Sequence, residues 1–408
     1  MRMPKLRVSF VWFCVLFFGL FYLVQNFNHR FWLNDFKVYY FAAQNLLGHK
    51  PLYGQIFGLS TGFYKYSPIA LFFFVPFACL PFFLAATIYF AVVAFCMVLT
   101  MQKSVVVARS CVAGRTEVPP TNPTKILYLI FLTIAVHFYR ELHLGNVNVI
   151  LLFLALASLI QLTNNKKTLP GLLIGIVVLF KPQFLILLPL LGLYRYWYTA
   201  LIALAVIAAG LLLPAIPLGF SGNGALLRQW FAAMSSHNAA SELMRAPNAI
   251  NHWIAPVLPV HGPHIQSAIT ALCLCLIFGA ILFIQIREKK VSGPQTFFPL
   301  AFCALIAFIP NITVTDTEHF LFCLPLIGYL LMLFPQQRAV FKVATIIALV
   351  AYGCNWHDVW GHSISVMLEN AGVLGLGNLS IIVLAFVSYF IFNSRLSISY
   401  FNKTKASR

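Results

Sequence analysis

Long runs of apolar residues follow one another along almost the whole chain, and the polar positions between them cluster in short segments rich in Lys, Arg, Gly, Pro and Asn. Uncharged runs of this kind read as membrane helices, because a lipid-spanning segment must satisfy its own backbone hydrogen bonds. The candidate spans cover roughly 8–25, 68–101, 126–139, 147–163, 169–180, 182–194, 199–217, 265–286, 296–310, 319–334, 340–354 and 378–394. Several fall short of the ~20 residues of a straight crossing, so they tilt, extend through polar ends or lie against protein. The run 68–101 is too long for one helix and is interrupted by Pro76 and Pro81. It reads as two crossings or as a half-helix followed by one full span. The pattern predicts an all-α polytopic integral membrane protein of about twelve transmembrane segments, built as one membrane domain over residues 1–408.

Composition strengthens this picture: with 61% hydrophobic and 9% charged residues, a chain of 408 could not cover its apolar surface in water. The net charge of +18 would suit nucleic acid, but the basic residues sit in loops between apolar runs, which points to membrane lipids instead. If 68–101 crosses once in net terms, 19 of the 27 Lys and Arg fall on the side of the N-terminus, which marks that side as cytoplasmic. Seven of the nine acids then fall on the opposite face, together with the long loops 26–67, 218–264 and 355–377. Chemistry is therefore expected on the outer, periplasmic face of the plasma membrane. The opening MRMPKLR and the long apolar run behind it, with no small-x-small cleavage site, predict an uncleaved first helix. Eight of the nine cysteines lie in or beside apolar runs without metal-ligand spacing and read as small buried hydrophobes.

Polar residues with chemical potential gather at the outer rim. Asp35 is the only acid among the first 116 residues. Around it Phe36, Tyr39, Tyr40 and Ala43 recur at helical spacing, predicting a short amphipathic helix that lies in the interface on aromatic anchors. Asp35 then either caps that helix and pairs with Lys37, or serves as general base on a hydroxyl. Lys65, between two tyrosines in YKYSP, is a snorkelling anchor or a ligand for a lipid phosphate or sugar hydroxyl. Arg140, Glu141, His143, Asn146 and Asn148 share one hairpin tip, which Gly145 allows to turn tightly. In the plainer reading Arg140 and Glu141 neutralise one another, whereas Asn146 and Asn148 are costly there unless they find partners. Lys181, just before Pro182, costs roughly 2.5–3.5 kcal/mol if it lies mid-membrane, so it is an anchor or an anion ligand. Asp316 and Glu318 lack a third metal ligand nearby, and His319 is an interfacial cap, a phosphate ligand or a proton shuttle. The segment ALLRQWFAAM, with Leu227, Trp230, Phe231 and Met234 on one face, is expected on the outer leaflet. His357 and His362 are poorly spaced for zinc, and no P-loop, dinucleotide, HExxH or GxSxG motif occurs.

The order of these segments resembles the membrane glycosyltransferases of family 87. The resemblance rests on Asp35, Tyr39 and Ala42 as D-x3-Y-x2-A, PLY at 51–53, YSP at 66–68, the Pro76 to Pro81 break, GNVN at 145–148, FKP at 180–182 and the late Glu318-His319 pair. It implies a GT-C type fold with a half-helix and interfacial helices in the outer loops, and an enzyme that transfers a hexose, mannose above others, from a polyprenyl-phosphate donor to a lipid or glycan acceptor. Residue by residue, it implies Asp35 as catalytic base and sets Tyr66 with Pro68, Lys181 with Pro182 and His319 on the family's motifs; the polar rim adds Arg140 and Lys65 beside Lys181 and His319 around the donor phosphate, and Tyr39, Tyr66, His143, Asn146 and Asn148 as substrate contacts. The cations stabilise the leaving phosphate as charge develops, so neither metal nor cofactor is required, and a single displacement inverts the anomeric carbon. The chain departs from the family pattern at Asn146, Glu318 and Asn248–Asn251. A transporter or flippase of a lipid-linked glycan is the alternative, but it calls for polar residues along a mid-membrane path and internal repeats, and the sequence shows neither.

Overall fold

The computed structural model describes residues 8–58, 62–112, 122–237, 239–258, 263–291 and 297–406. The charges at Arg2, Lys5, Arg7, Arg115, Glu117 and Arg408 lie outside the described residues, as do the side chains of Glu288, Lys289, Lys290, Asp358, Arg395, Lys403 and Lys405. Each of the twelve apolar runs folds as helix, and the described residues contain no strand, only an isolated antiparallel bridge between Ile56 and Phe63. Five helices are long and apolar enough to cross a membrane, or up to seven if each of two bent pairs is one span. The other five apolar helices are 10–17 residues long.

Breaks in the helices have local causes. The run 126–139 is not straight: Pro123–Thr133 and Ala135–Leu144 meet at 66°. There the Ile134 backbone leaves the helical region at φ −95°, ψ 9°, and the Thr133 hydroxyl donates back to the Leu129 carbonyl at 2.8 Å. The run 68–101 resolves into two short turns, Pro68–Phe72 and Val75–Ala78, followed by one helix, Phe82–Val112. Of these parts only Phe82–Val112 is long and apolar enough to cross a membrane. The stretch 355–377, expected as a loop, is largely helical, with His357–Trp360 and His362–Asn370 ahead of the long helix Val373–Ala406.

The described chain divides into two compact units, one of 5–100 with 137–239 and one of 101–136 with 240–408. In the first, the helix Asn34–Leu47 corrects an expectation. Phe36, Val38, Tyr39, Tyr40, Ala42 and Ala43 are buried inside protein, so the aromatic stripe is core and not a lipid anchor. Phe36 stacks on Tyr89 with ring centroids 4.4 Å apart, and Tyr39 lies 4.6 Å from Phe74. Burying such a side chain contributes about 1.5–3 kcal/mol, and each ring pair adds ~0.5–1.5, so this helix is held firmly. The helix Thr168–Phe180 packs closely on Trp197–Leu212, where a Cβ on Gly175 would stand 2.6 Å from Val206 Cβ. Small residues permit such approaches between apolar helices.

In the second unit, all eleven residues of the helix Phe298–Phe308 are buried. Asparagines tie the surrounding chain together. Asn311 donates to the carbonyls of Asn248 and Gly375 at 3.0 and 3.1 Å, and Asn378 donates to Asn311 at 2.6 Å. Asn248 and Asn251, where the chain departs from the family pattern, are engaged with Gly375 N–H and with Gln266.

Candidate functional site

The first unit gathers most of the expected polar residues. The helix Asn34–Leu47 starts after Leu33, whose backbone is left-handed at φ 39°, ψ 57°. A bulky residue there is strained and persists only where its surroundings dictate it. Here the tightly packed Gly145 abuts it: with φ +67°, a Cβ on Gly145 would lie 3.0 Å from Phe36 Cβ and 3.2 Å from Leu33 Cδ2. The turn 145–147 is thus pressed against the first turn of the helix that carries Asp35.

Asp35 is half-buried in that first turn, where the helix dipole favours a carboxylate. Its Oδ2 accepts the Asn146 amide N–H at 2.7 Å. Lys37, expected to pair with it, holds its ammonium over the Phe82 ring, 5.7 Å from the centroid. The Asn146 side-chain oxygen, Oδ1, accepts from Val147 N–H at 2.7 Å and from the Tyr39 and Tyr66 hydroxyls, each at 3.5 Å. These hydroxyls are 3.0 Å from one another. Burial, then Tyr66, then Asp35 push the Tyr39 phenol well above its usual range, so it stays a neutral donor.

A second chain of bonds leaves the same turn. Glu141 is fully buried and accepts from Val149 N–H at 2.8 Å and from the Asn148 amide at 3.0 Å. The Asn148 oxygen in turn accepts from Lys181 Nζ at 2.6 Å. Lys181 is 7% exposed and sits in extended backbone, φ −131° and ψ 98°, because the residue before a proline avoids the helical region. The YSP and FKP segments also meet: the Ser67 hydroxyl donates to the Leu179 carbonyl, and Tyr66 lies 6.0 Å from Phe180.

The remaining expected residues fall around this framework or elsewhere. Lys65 and Arg140 are half-buried, and the Lys65 carbonyl accepts the Trp230 indole N–H at 3.1 Å. Trp230 is therefore tied to protein, while its neighbour Phe231 is 72% exposed. His143 stacks on Tyr139 at 5.9 Å and lies 5.5 Å from Trp32. His319 belongs to the second unit, with Nδ1 3.5 Å from the buried Glu318 carboxylate. His357 and His362 have ring centroids 5.8 Å apart, and the described residues hold no group of three metal-ligating side chains.

Two residues were missed. In the sequence Glu141 reads as a neutraliser of Arg140, whereas in the fold it is fully buried and accepts from Val149 N–H and the Asn148 amide. Tyr89, whose hydroxyl donates to the Asn146 carbonyl at 3.3 Å, had no signal among 40 Phe and 16 Tyr.

The model of glycosyltransferase family 87 matches residues 63–310, more than half of the chain. The chain belongs to glycosyltransferase family 87. No curated protein and no solved structure matches it. The region matched to family 87 contains Lys65, Tyr66, the 140–148 hairpin and Lys181, while Asp35 precedes it and His319 follows it. With its apolar helices, the chain is a membrane glycosyltransferase.

Proposed function

We infer that this glycosyltransferase moves a hexose, mannose above others, from a polyprenyl-phosphate donor to a lipid or glycan hydroxyl at the outer face of the plasma membrane. The observation that carries the reading is Asp35: a half-buried carboxylate at a helix start, held by the Asn146 amide, in a family 87 chain. Asp35 takes the proton of the acceptor hydroxyl as its oxygen attacks the anomeric carbon. The bond from that carbon to the phosphate oxygen breaks on the opposite face, so the configuration inverts and polyprenyl phosphate leaves.

Lys65, Arg140 and Lys181, all in the first unit, supply the positive charge that the departing phosphate needs. This electrostatic role asks for no metal or cofactor. Tyr39, Tyr66 and His143 offer hydroxyl and ring surfaces to the sugar.

The test is to incubate purified protein with a panel of polyprenyl-phosphate sugars and acceptors and to measure released polyprenyl phosphate. Transfer is expected with the mannosyl donor. Asp35→Asn is expected to leave the protein folded and inserted while lowering turnover by about 10²–10⁴-fold, the usual contribution of a general base. Turnover retained by that variant removes Asp35 from the mechanism.

A further inference from the structure

Two asparagines in one turn each join groups of opposite hydrogen-bonding kind. Asn146 gives its N–H to the Asp35 carboxylate at 2.7 Å and takes the Val147 N–H on its oxygen at 2.7 Å. Asn148 gives its N–H to Glu141 at 3.0 Å and takes the Lys181 ammonium on its oxygen at 2.6 Å. A carboxylate only accepts while an ammonium and a peptide N–H only donate, so reversing either amide would set donor against donor and acceptor against acceptor. Both side chains are buried, which makes such a mismatch expensive. Their orientation is therefore fixed by the protein itself, without a sugar.

Glu141 secures the corner from both sides. Its carboxylate takes the Val149 N–H at the start of the following helix, and its own carbonyl takes the N–H groups of Gly145 and Asn146 at 2.9 and 3.2 Å. The two asparagines thus ride on one braced turn. One reaches toward the proposed base and the other toward a proposed phosphate ligand.

We propose that Asn146 and Asn148 are positioning residues and not sugar ligands: Asn146 holds the Asp35 carboxylate in line for proton removal, Asn148 holds the Lys181 ammonium, and Glu141 braces the turn that carries both. The proposal rests on the reading of Asp35 as base and Lys181 as phosphate ligand. It separates two kinetic signatures along three residues of sequence.

Asn146→Leu is expected to lower kcat about 10–100-fold with the KM of donor and acceptor unchanged, since a misplaced catalytic group costs that much. Asn146→Gln, which keeps the amide, recovers part of the rate. Asn148→Leu is expected to raise the donor KM, with a smaller loss of kcat than Asn146→Leu because Lys181 is one of several cations that meet the leaving phosphate, and Asn148→Leu with Lys181→Ala raises the KM no further than the worse single change. If Asn148→Leu does not fold, Asn148→Ser keeps a smaller acceptor for the same comparison. A raised acceptor KM with intact kcat in Asn146→Leu, or KM increases that multiply in the double variant, overturns the proposal.

Thermal unfolding in detergent separates this proposal from the reading beneath it. Should the unaltered protein turn over no polyprenyl-phosphate sugar, the functional reading fails, but the wiring is still measured by two cycles. The double variants Asp35→Asn with Asn146→Leu, and Lys181→Ala with Asn148→Leu, are expected to lose no more Tm than the larger single loss. Losses that simply add would show the pairs to be independent and sink the proposal.

Discussion

Lys181 is costly to bury, and the structure shows how that cost is met: its ammonium is passed through Asn148 to the carboxylate of Glu141. A cation so held is already oriented, so binding a phosphate does not have to order a long side chain. Lys181→Ala is expected to raise the KM for the polyprenyl-phosphate donor about tenfold or more, in keeping with the ~1.5–3 kcal/mol of a charge-assisted hydrogen bond. Initial rates at varied donor concentration measure it, and an unchanged KM passes the role to Arg140 or Lys65. At this scale the sequence was informative wherever a polar residue was rare. Asp35 and Lys181 stand out against an apolar background, whereas the partners of Glu141 and Tyr89 become visible only once residues 35, 89, 141, 146 and 181 are brought together.

Among the elements, the turn between Ala135–Leu144 and Asn148–Thr163 matters most, because it carries both asparagines. Gly145→Ala would force an L side chain into a left-handed backbone, at about 1–2 kcal/mol, and would push a Cβ against Phe36. The expected outcome is a lower Tm in detergent together with a lower kcat, since the same Cβ displaces Asn146 from Asp35. All twelve apolar runs were legible as helices because hydrophobic length alone specifies them. What covers them was not. The face of Asn34–Leu47 formed by Phe36, Tyr39, Tyr40 and Ala43 would suit lipid as well as protein, and its spacing is the same in both cases. Only the facing rings of Phe74, Phe77 and Tyr89 decide that it is core.

For the molecule as a whole, composition and charge order set the expectation of sidedness, and labelling can check it. In a cysteine-free background, Lys50→Cys is expected to react with a membrane-impermeant thiol reagent from the outer side and Arg338→Cys only after the inner side is opened. Both positions are exposed on the protein surface, so a failure to label from the expected side reflects topology and not burial. Labelling of position 50 from inside would move Asp35 to the cytoplasmic face and remove the polyprenyl-linked donor from reach. The family match covers residues 63–310, and positions 35 and 319 lie outside it.

The wholly enclosed helix Phe298–Phe308 has a consequence for how the chain is made. Eleven residues rise only about 16 Å, roughly half the hydrocarbon depth, and none of its sides is left for lipid. In a nascent chain synthesised only this far, the faces later covered by Thr317–Gln336 and by Val373–Ile391 are still open, so the segment reaches its final enclosure only after those helices leave the ribosome.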